Sequence, residues 1–108
     1  IILKEENNEQ ILHYRVKNTS GKKQKLTFPN GLQADYIIYD VNGNKVKQHS
    51  EEMMSIQAIQ EITFEKDEEL SYQFKLSDLN TGSYVVEVFL TAKEEQAKDS
   101  IEVKIKKI

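Results

Sequence analysis

The sequence contains no cysteine and no tryptophan, and it has a single proline among its 108 residues. Without cysteine the chain can form neither a disulfide nor a thiolate metal site, which is compatible with a reducing compartment. Apolar residues never continue for the roughly 18 positions that a transmembrane helix needs. No charged and then apolar segment opens the chain as a signal peptide would. We therefore expect no disulfide framework and no membrane partner.

The net charge of the chain is small. It amounts to −3, from 15 basic and 18 acidic residues, and no cluster of Lys and Arg is interleaved with aromatic residues. The basic footprint of nucleic-acid binding is missing, so we predict no nucleic-acid partner. A chain of this length with 38% hydrophobic residues suits one folded unit, and we assign residues 1–108 to a single domain.

Short segments in which apolar and polar residues alternate recur along the chain. Leu12, Tyr14 and Val16 alternate with polar or charged neighbours, which places one face of a strand in the core and the other in water. Turn-like stretches separate such segments at spacings of roughly 8 to 12 residues. We predict an all-β, immunoglobulin-like antiparallel β-sandwich of about eight or nine strands. The predicted core consists of Leu12, Tyr14, Val16, Phe28, Ile38, Phe64, Tyr72, Phe74, Tyr84, Val86, Val88 and Val103.

The most informative stretch is residues 28–50. At its start, Pro29 and Gly31 indicate a turn that ends an extended run. Residues 34–41, ADYIIYDV, carry β-branched and aromatic side chains on both faces, as a strand buried on both sides does. The Asn42-Gly43 pair then predicts a hairpin with a type I′ turn, which needs a positive φ at both central residues.

A second local signal lies in the turn-rich segment 76–84, which ends in Gly82-x-Tyr84 at the start of an apolar strand. This arrangement resembles the tyrosine corner of immunoglobulin-like sandwiches. We predict that the Tyr84 hydroxyl donates a hydrogen bond to a backbone group of this segment.

Few side chains are suited to acid–base catalysis. Of the two histidines, His13 lies on the polar face of an alternating strand and His49 in a polar loop, so we expect both to be solvated. Asp35 and Asp40 point to opposite faces of a strand, which argues against a catalytic pair. We expect Asp35 to cap a turn and Asp40 to begin the Asn-Gly hairpin.

Motif matches are equally sparse. The sequence has no G-x-S-x-G, H-E-x-x-H, phosphate-binding glycine loop or Cys/His cluster. The acidic run 65–69 lacks the ligand spacing and central glycine of a calcium loop, so a solvated turn is expected. Asn18-Thr19-Ser20 matches a glycosylation sequon, a match that often arises by chance. We predict a protein that is not an enzyme and that holds no metal or cofactor.

The central stretch also carries a family resemblance. Its motifs are Phe28-Pro29-x-Gly31, Asp35, Tyr36-Ile37-Ile38-Tyr39-Asp40, Asn42-Gly43-x-Lys45-Val46 and Ser50, followed by Gln57-Ala58 and Gly82-x-Tyr84. In this order they resemble the bacterial intracellular proteinase inhibitor (BsuPI) family over most of the chain. The chain departs from that family at Lys47 and His49, where the family commonly carries tryptophans. Those aromatics either contact the protease or cover an end of the sandwich.

The resemblance implies a cytoplasmic inhibitor of an intracellular subtilisin-type serine protease that acts through a bound loop. An alternative is a noncatalytic immunoglobulin-like module that binds a different protein, because sandwich folds host many functions.

The polar segment from Lys47 to Ser55 predicts a loop or an irregular edge after the central hairpin, and the protease-contact site is predicted in this loop. Met53 and Met54 lie there among polar neighbours, and unbranched apolar side chains suit an apolar primary pocket. The alternative is that both methionines fold back into the core. The predicted contact residues are Lys47, Gln48, His49, Ser50, Met53 and Met54.

Overall fold

A computed structural model describes residues 2–6, 9–52, 58–76 and 79–105, and its regular structure is nearly all β. The strands are β1 (Ile2–Glu6), β2 (Glu9–Lys17), β3 (Gln24–Phe28), β4 (Ala34–Tyr39), β5 (Lys45–Gln48), β6 (Gln60–Phe64), β7 (Glu69–Leu76), β8 (Gly82–Leu90) and β9 (Asp99–Ile105). A short 3₁₀ helix, η1 (His49–Glu52), follows β5. The predicted all-β class is confirmed. The described ranges hold no helix of the length and apolarity that a membrane crossing requires.

All strand pairs are antiparallel, and the strands form a four-stranded, a three-stranded and a two-stranded sheet. Their orders are β5-β4-β8-β9, β1-β2-β7 and β3-β6. The β2–β7 ladder ends where Lys17 pairs with Glu69, and the β3–β6 ladder begins where Gln24 pairs with Phe64. These two ladders therefore follow each other along the same two stretches of chain. The arrangement is consistent with a sandwich, while its immunoglobulin-like character stays a prediction.

The core contains most of the side chains that the alternation predicted. Among the predicted residues, Val16, Tyr72 and Tyr84 are half-buried against the core, and the others are buried. The buried set also includes Leu26, Tyr36, Leu79 and Leu90. This set draws on strands of all three sheets, so one continuous core joins them.

Strand β4 runs between β5 and β8 and is the most buried strand of its sheet. Ala34, Asp35, Tyr36 and Ile38 are all buried, in agreement with the prediction of a strand covered on both faces. Val41 is an exception, because it lies beyond the end of the strand with 76% of its surface exposed.

The turn after β4 differs from the predicted type I′ turn. Gly43 has a φ of 80°, whereas Asn42 does not adopt a positive φ. Asp40 explains the difference: its Oδ1 accepts the N–H groups of Asn42 and Asn44 at 2.9 and 3.0 Å, and its carbonyl accepts the N–H of Gly43. These bonds stabilise a longer connection in which glycine alone takes the left-handed conformation. The prediction that Asp40 begins the hairpin is confirmed.

A buried asparagine marks the junction of the β2–β7 and β3–β6 ladders. Asn18 is 2% exposed, and its Nδ2 donates to the carbonyls of Lys22, Phe64 and Glu65 at 2.8 to 3.1 Å. Its Oδ1 accepts the N–H and the hydroxyl of Ser20. Because the amide nitrogen is engaged in the interior, the sequon match at this residue is a chance match.

The predicted tyrosine contact is confirmed, since the Tyr84 hydroxyl donates to the carbonyl of Asn80 at 2.8 Å. The bond is exposed to solvent, so water can replace it at a modest cost. We expect Tyr84→Phe to lower the free energy of unfolding by about 0.5 to 1.5 kcal/mol in urea denaturation. Tyr39→Phe is the matched control, because that hydroxyl makes no hydrogen bond within the described ranges. Equal stabilities of both variants and the parent would contradict a structural role for the Tyr84 hydroxyl.

The burial of the Tyr14 hydroxyl group leads us to expect a loss of stability at alkaline pH. Its side chain is 2% exposed and donates a hydrogen bond to the carbonyl of Ala97. Burial, with the negative charge of Asp99 as a further cause, raises the pKa of the Tyr14 phenol above its ordinary value of 10.0. Because the folded state resists ionisation, its stabilisation is complete below the unfolded pKa and is lost as the pH rises above it.

Above pH 10, the free energy of unfolding of the parent should therefore fall by up to about 1.4 kcal/mol per pH unit more steeply than that of Tyr14→Phe. Denaturation curves of both proteins between about pH 9 and pH 11 measure this difference. Parallel pH profiles would show that Tyr14 ionises as easily in the folded state as in the unfolded one.

Candidate functional site

The predicted contact residues lie in a strand and a 3₁₀ helix rather than in one loop. Lys47 and Gln48 belong to β5, where they pair with Ile38 and Ile37 of β4. His49 and Ser50 form the start of η1. Met53 and Met54 lie outside the described residues. The sequence predicted a loop or an irregular edge from position 47, and its first residues form an edge strand, because pairing with the central strand continues to Gln48.

A buried carboxylate holds the start of η1. Asp35 is 3% exposed, and its Oδ1 accepts the N–H of Ser50 at 3.0 Å and the N–H of Tyr36 at 2.8 Å. Its Oδ2 accepts a hydrogen bond from Nε2 of Gln48 at 2.9 Å. Asp35 thereby satisfies an N–H group at the start of η1, which has no partner within that helix. The prediction that Asp35 caps a turn is confirmed, and the turn lies 15 residues further along the chain.

The His49 side chain packs against β4 of one sheet and β7 of another. Its ring stacks on Tyr36 of β4 with a centroid distance of 5.0 Å and an interplanar angle of 21°. It meets Phe74 of β7 edge-on at 5.0 Å, and Tyr36 and Phe74 are themselves 5.2 Å apart. The expectation of a solvated His49 was wrong, since these rings bury part of the imidazole. At one of the two positions where the sequence resemblance implies tryptophan, the smaller ring of His49 therefore covers part of the core.

An ion pair links β5 to η1 on the surface. Nζ of Lys45 contacts Oε1 of Glu51 and lies 3.2 Å from Oε1 of Gln48. Such an exposed pair contributes little by itself. Together with the Asp35 hydrogen bonds and the His49 stack, it fixes residues 48–51, which we call the anchored segment. Its contacts come from β4, β5 and β7.

Removal of the Asp35 carboxylate should loosen the anchored segment. We expect Asp35→Ala to lower the free energy of unfolding by about 1 to 3 kcal/mol, because the partly buried N–H of Ser50 and the Gln48 amide lose their acceptor. Asp40→Ala is the control, since Asp40 also accepts two backbone N–H groups but is less buried and lies at the other end of β4. Urea denaturation measures both variants. A smaller loss for Asp35→Ala than for Asp40→Ala would contradict the anchoring role.

The other candidate residues form no catalytic arrangement in the described part of the chain. Nε2 of His13 on β2 is buried and has no hydrogen-bond partner among the described residues, which corrects the expectation of a solvated histidine. The acidic turn contains Asp67 with a φ of 64° and is closed by a hydrogen bond from the N–H of Glu65 to the Glu68 carboxylate. Within the described ranges, no group of three or more His, Asp or Glu side chains is placed to hold a metal ion.

The structure also shows a groove that the sequence did not predict. It has a volume of about 270 Å³ and lies beside the β4–β5 turn, where Val41 and Val85 expose apolar surface near Glu102 and Lys104. The apolar composition of residues 34–41 predicts a buried strand through Val41, whereas β4 ends at Tyr39 and leaves Val41 exposed. The groove and the anchored segment lie at opposite ends of β4.

The chain was compared with the curated proteins and with models of protein families. A search of the curated proteins finds no match. The family model described as BsuPI, intracellular proteinase inhibitor, matches residues 3–95. This range includes β2 to β8 and the whole anchored segment. The chain therefore belongs to the BsuPI family of intracellular proteinase inhibitors.

Proposed function

We propose that this protein is a cytoplasmic, noncatalytic inhibitor of a subtilisin-type serine protease, and that residues 47–55 enter the substrate cleft of that protease. Family membership supports the inhibitor role. The subtilisin-type target is proposed from the resemblance found in the sequence, and the loop mechanism is proposed from the anchored segment.

The observation that carries this proposal is the way in which the anchored segment is held. A protein inhibitor binds tightly when its contact loop loses little conformational entropy in the complex. In a chain without cysteine, that rigidity has to come from packing and hydrogen bonds. The Asp35 carboxylate accepts a hydrogen bond from the start of η1, and the His49 ring packs against both Tyr36 and Phe74. The segment that leads into Met53 and Met54 is thus preorganised.

The proposal divides the predicted contact residues into two roles. Gln48 and His49 hold the segment, because their side chains contact Asp35, Tyr36 and Phe74. Met53 and Met54, which follow the anchored segment in sequence, supply the apolar side chains for the primary pocket of the protease. In this proposal, Lys47 and Ser50 form the polar edge of the surface that contacts the protease.

The direct test is a titration of a purified subtilisin-like protease with this protein, with residual hydrolysis of a peptide substrate as the readout. We expect a saturable loss of protease activity and an intact inhibitor band after incubation. Trypsin and a cysteine protease serve as comparison enzymes. No inhibition of several subtilisin-like proteases at high micromolar protein would refute the proposed target class.

The exposed groove beside Val41 supports an alternative, a noncatalytic module that binds a different protein. Val41 and Val85 are 76% and 37% exposed, and they could receive an apolar side chain of a partner. Affinity capture from lysate followed by mass spectrometry, with the parent and Val41→Asp as baits, distinguishes the two functions. Capture of proteases by both baits supports inhibition, whereas capture of another protein by the parent alone supports the alternative.

A further inference from the structure

We propose that two copies of this chain associate through β9, which pairs antiparallel with the β9 of the second copy. β9 is the edge strand of the four-stranded sheet and is hydrogen bonded on one side to β8. For residues 100–105, no strand in the described ranges pairs with the other side. β1 of the neighbouring sheet approaches β9 without pairing with it. An edge strand of seven residues presents a row of backbone groups that can extend a sheet.

The two faces of β9 differ in chemistry. Val103 is buried in the core, and Ile101 and Ile105 on the same face are only half-buried. Glu102 and Lys104 are exposed on the opposite face, where they pair with Val85 and Ser83 of β8. A second strand beside β9 would cover the exposed flanks of the two isoleucines.

The charges of β9 select one register for this pairing. With a two-fold axis at Val103, Glu102 of each copy lies opposite Lys104 of the other, and Ile101 lies opposite Ile105. This register creates two cross-strand pairs of opposite charge, which stabilise an antiparallel ladder. With the axis at Glu102, the Glu102 side chains of the two copies would face each other. With the axis at Lys104, the two Lys104 side chains would do so. An axis midway between residues would place a core-facing side chain opposite an outward-facing one.

The proposed pairing is compatible with the inhibitory site. β9 and β5 are the opposite edges of the same sheet, so the dimer would have one continuous sheet with an anchored segment at each far edge. The family match ends at residue 95, before β9 begins. The proposed pairing does not involve the anchored segment, so its test is independent of protease inhibition.

Charge reversal tests the register. Sedimentation equilibrium at concentrations up to about 1 mM should show a reversible dimer of the parent chain. Glu102→Lys places lysine opposite lysine twice, and Lys104→Glu places glutamate opposite glutamate twice. Each single variant should raise the dimer dissociation constant by about tenfold or more. An equimolar mixture of the two variants restores both pairs of opposite charge and should form a heterodimer about as well as the parent dimerises.

Matched controls separate the strand pairing from general electrostatics. Lys25→Glu has the same net charge as Lys104→Glu, and Lys25 lies on β3 in another sheet, where it pairs with Glu61 at 3.1 Å. This variant should dimerise as the parent does, and its mixture with Glu102→Lys should not reach the association of the complementary mixture. Circular dichroism and the melting temperature confirm that each variant is folded.

Three results would each overturn the proposal. The first is a parent chain that stays monomeric throughout the concentration range. The second is a pair of charge variants that dimerise as the parent does. The third is a complementary mixture that associates no better than its separate components.

Discussion

Phe74→Ala is expected to lower the free energy of unfolding by about 3 to 5 kcal/mol. Phe74 lies on β7 with 9% of its surface exposed, and it contacts Tyr36 edge-on at 5.2 Å and His49 at 5.0 Å. Alanine would remove the ring that joins β7 to β4 and to η1. The loss combines the transfer of apolar surface to water with the cavity that the neighbouring rings cannot fill. Because domains of this size have free energies of unfolding of only about 5 to 15 kcal/mol, the variant would lose much of its stability.

Urea denaturation of the purified variant measures this loss. Phe89→Ala is the matched control, because Phe89 lies half-buried on the outer face of the four-stranded sheet, where Lys98 lies 5.9 Å from its ring centre. The control should lose about 1 to 2 kcal/mol, since part of its apolar surface already faces water. Equal losses for the two variants would show that Phe74 does not link the two layers.

Met53→Asp and Met54→Asp are expected to weaken inhibition by about a hundredfold or more if each methionine anchors the protein in an apolar primary pocket. A carboxylate in such a pocket loses its hydration and finds no partner, which costs several kilocalories per mole. The anchored segment should remain folded in both variants, because its contacts with Asp35, Tyr36 and Phe74 do not involve these side chains. The inhibition constant against the most sensitive subtilisin-like protease is the measurement.

Val41→Asp provides the control for this pair. Val41 is exposed at the opposite end of β4, so the same change of charge there should leave both inhibition and melting temperature unchanged. Folded methionine variants that inhibit as well as the parent would place the contact elsewhere on the protein. A large fall in their melting temperature would instead indicate that the methionines belong to the core.

Alternation in the sequence was sufficient to predict most of the fold. Leu12 and Tyr14 on β2 and Val86 and Val88 on β8 are buried as their spacing required. A strand has a period of two, so the burial of each residue is encoded in its immediate neighbours. The composition of residues 34–41 likewise predicted a strand with two covered faces. The Tyr84 contact was predictable because its acceptor, Asn80, is only four residues away.

The candidate site was predicted less completely, because its contacts are distant in sequence. Nothing near His49 indicates that its ring meets Phe74, 25 residues further along the chain. The hydrogen bond from Ser50 to Asp35 crosses 15 residues. Polar residues around position 49 therefore appeared to be a solvated loop. The motif order nevertheless indicated the family, since it depends on sequence alone.

The sequence by itself determined the strands, their buried faces and the family, because alternation, turn residues and motif order are local properties of the chain. Only the tertiary structure decided which strands pair, how η1 is held, and which apolar residues stay exposed. Asp35 illustrates the reason: whether a carboxylate is solvated or buried depends on which donors the fold brings to it. Those donors, Ser50 and Gln48, lie beside Asp35 because β5 pairs with β4 and positions η1 next to the strand.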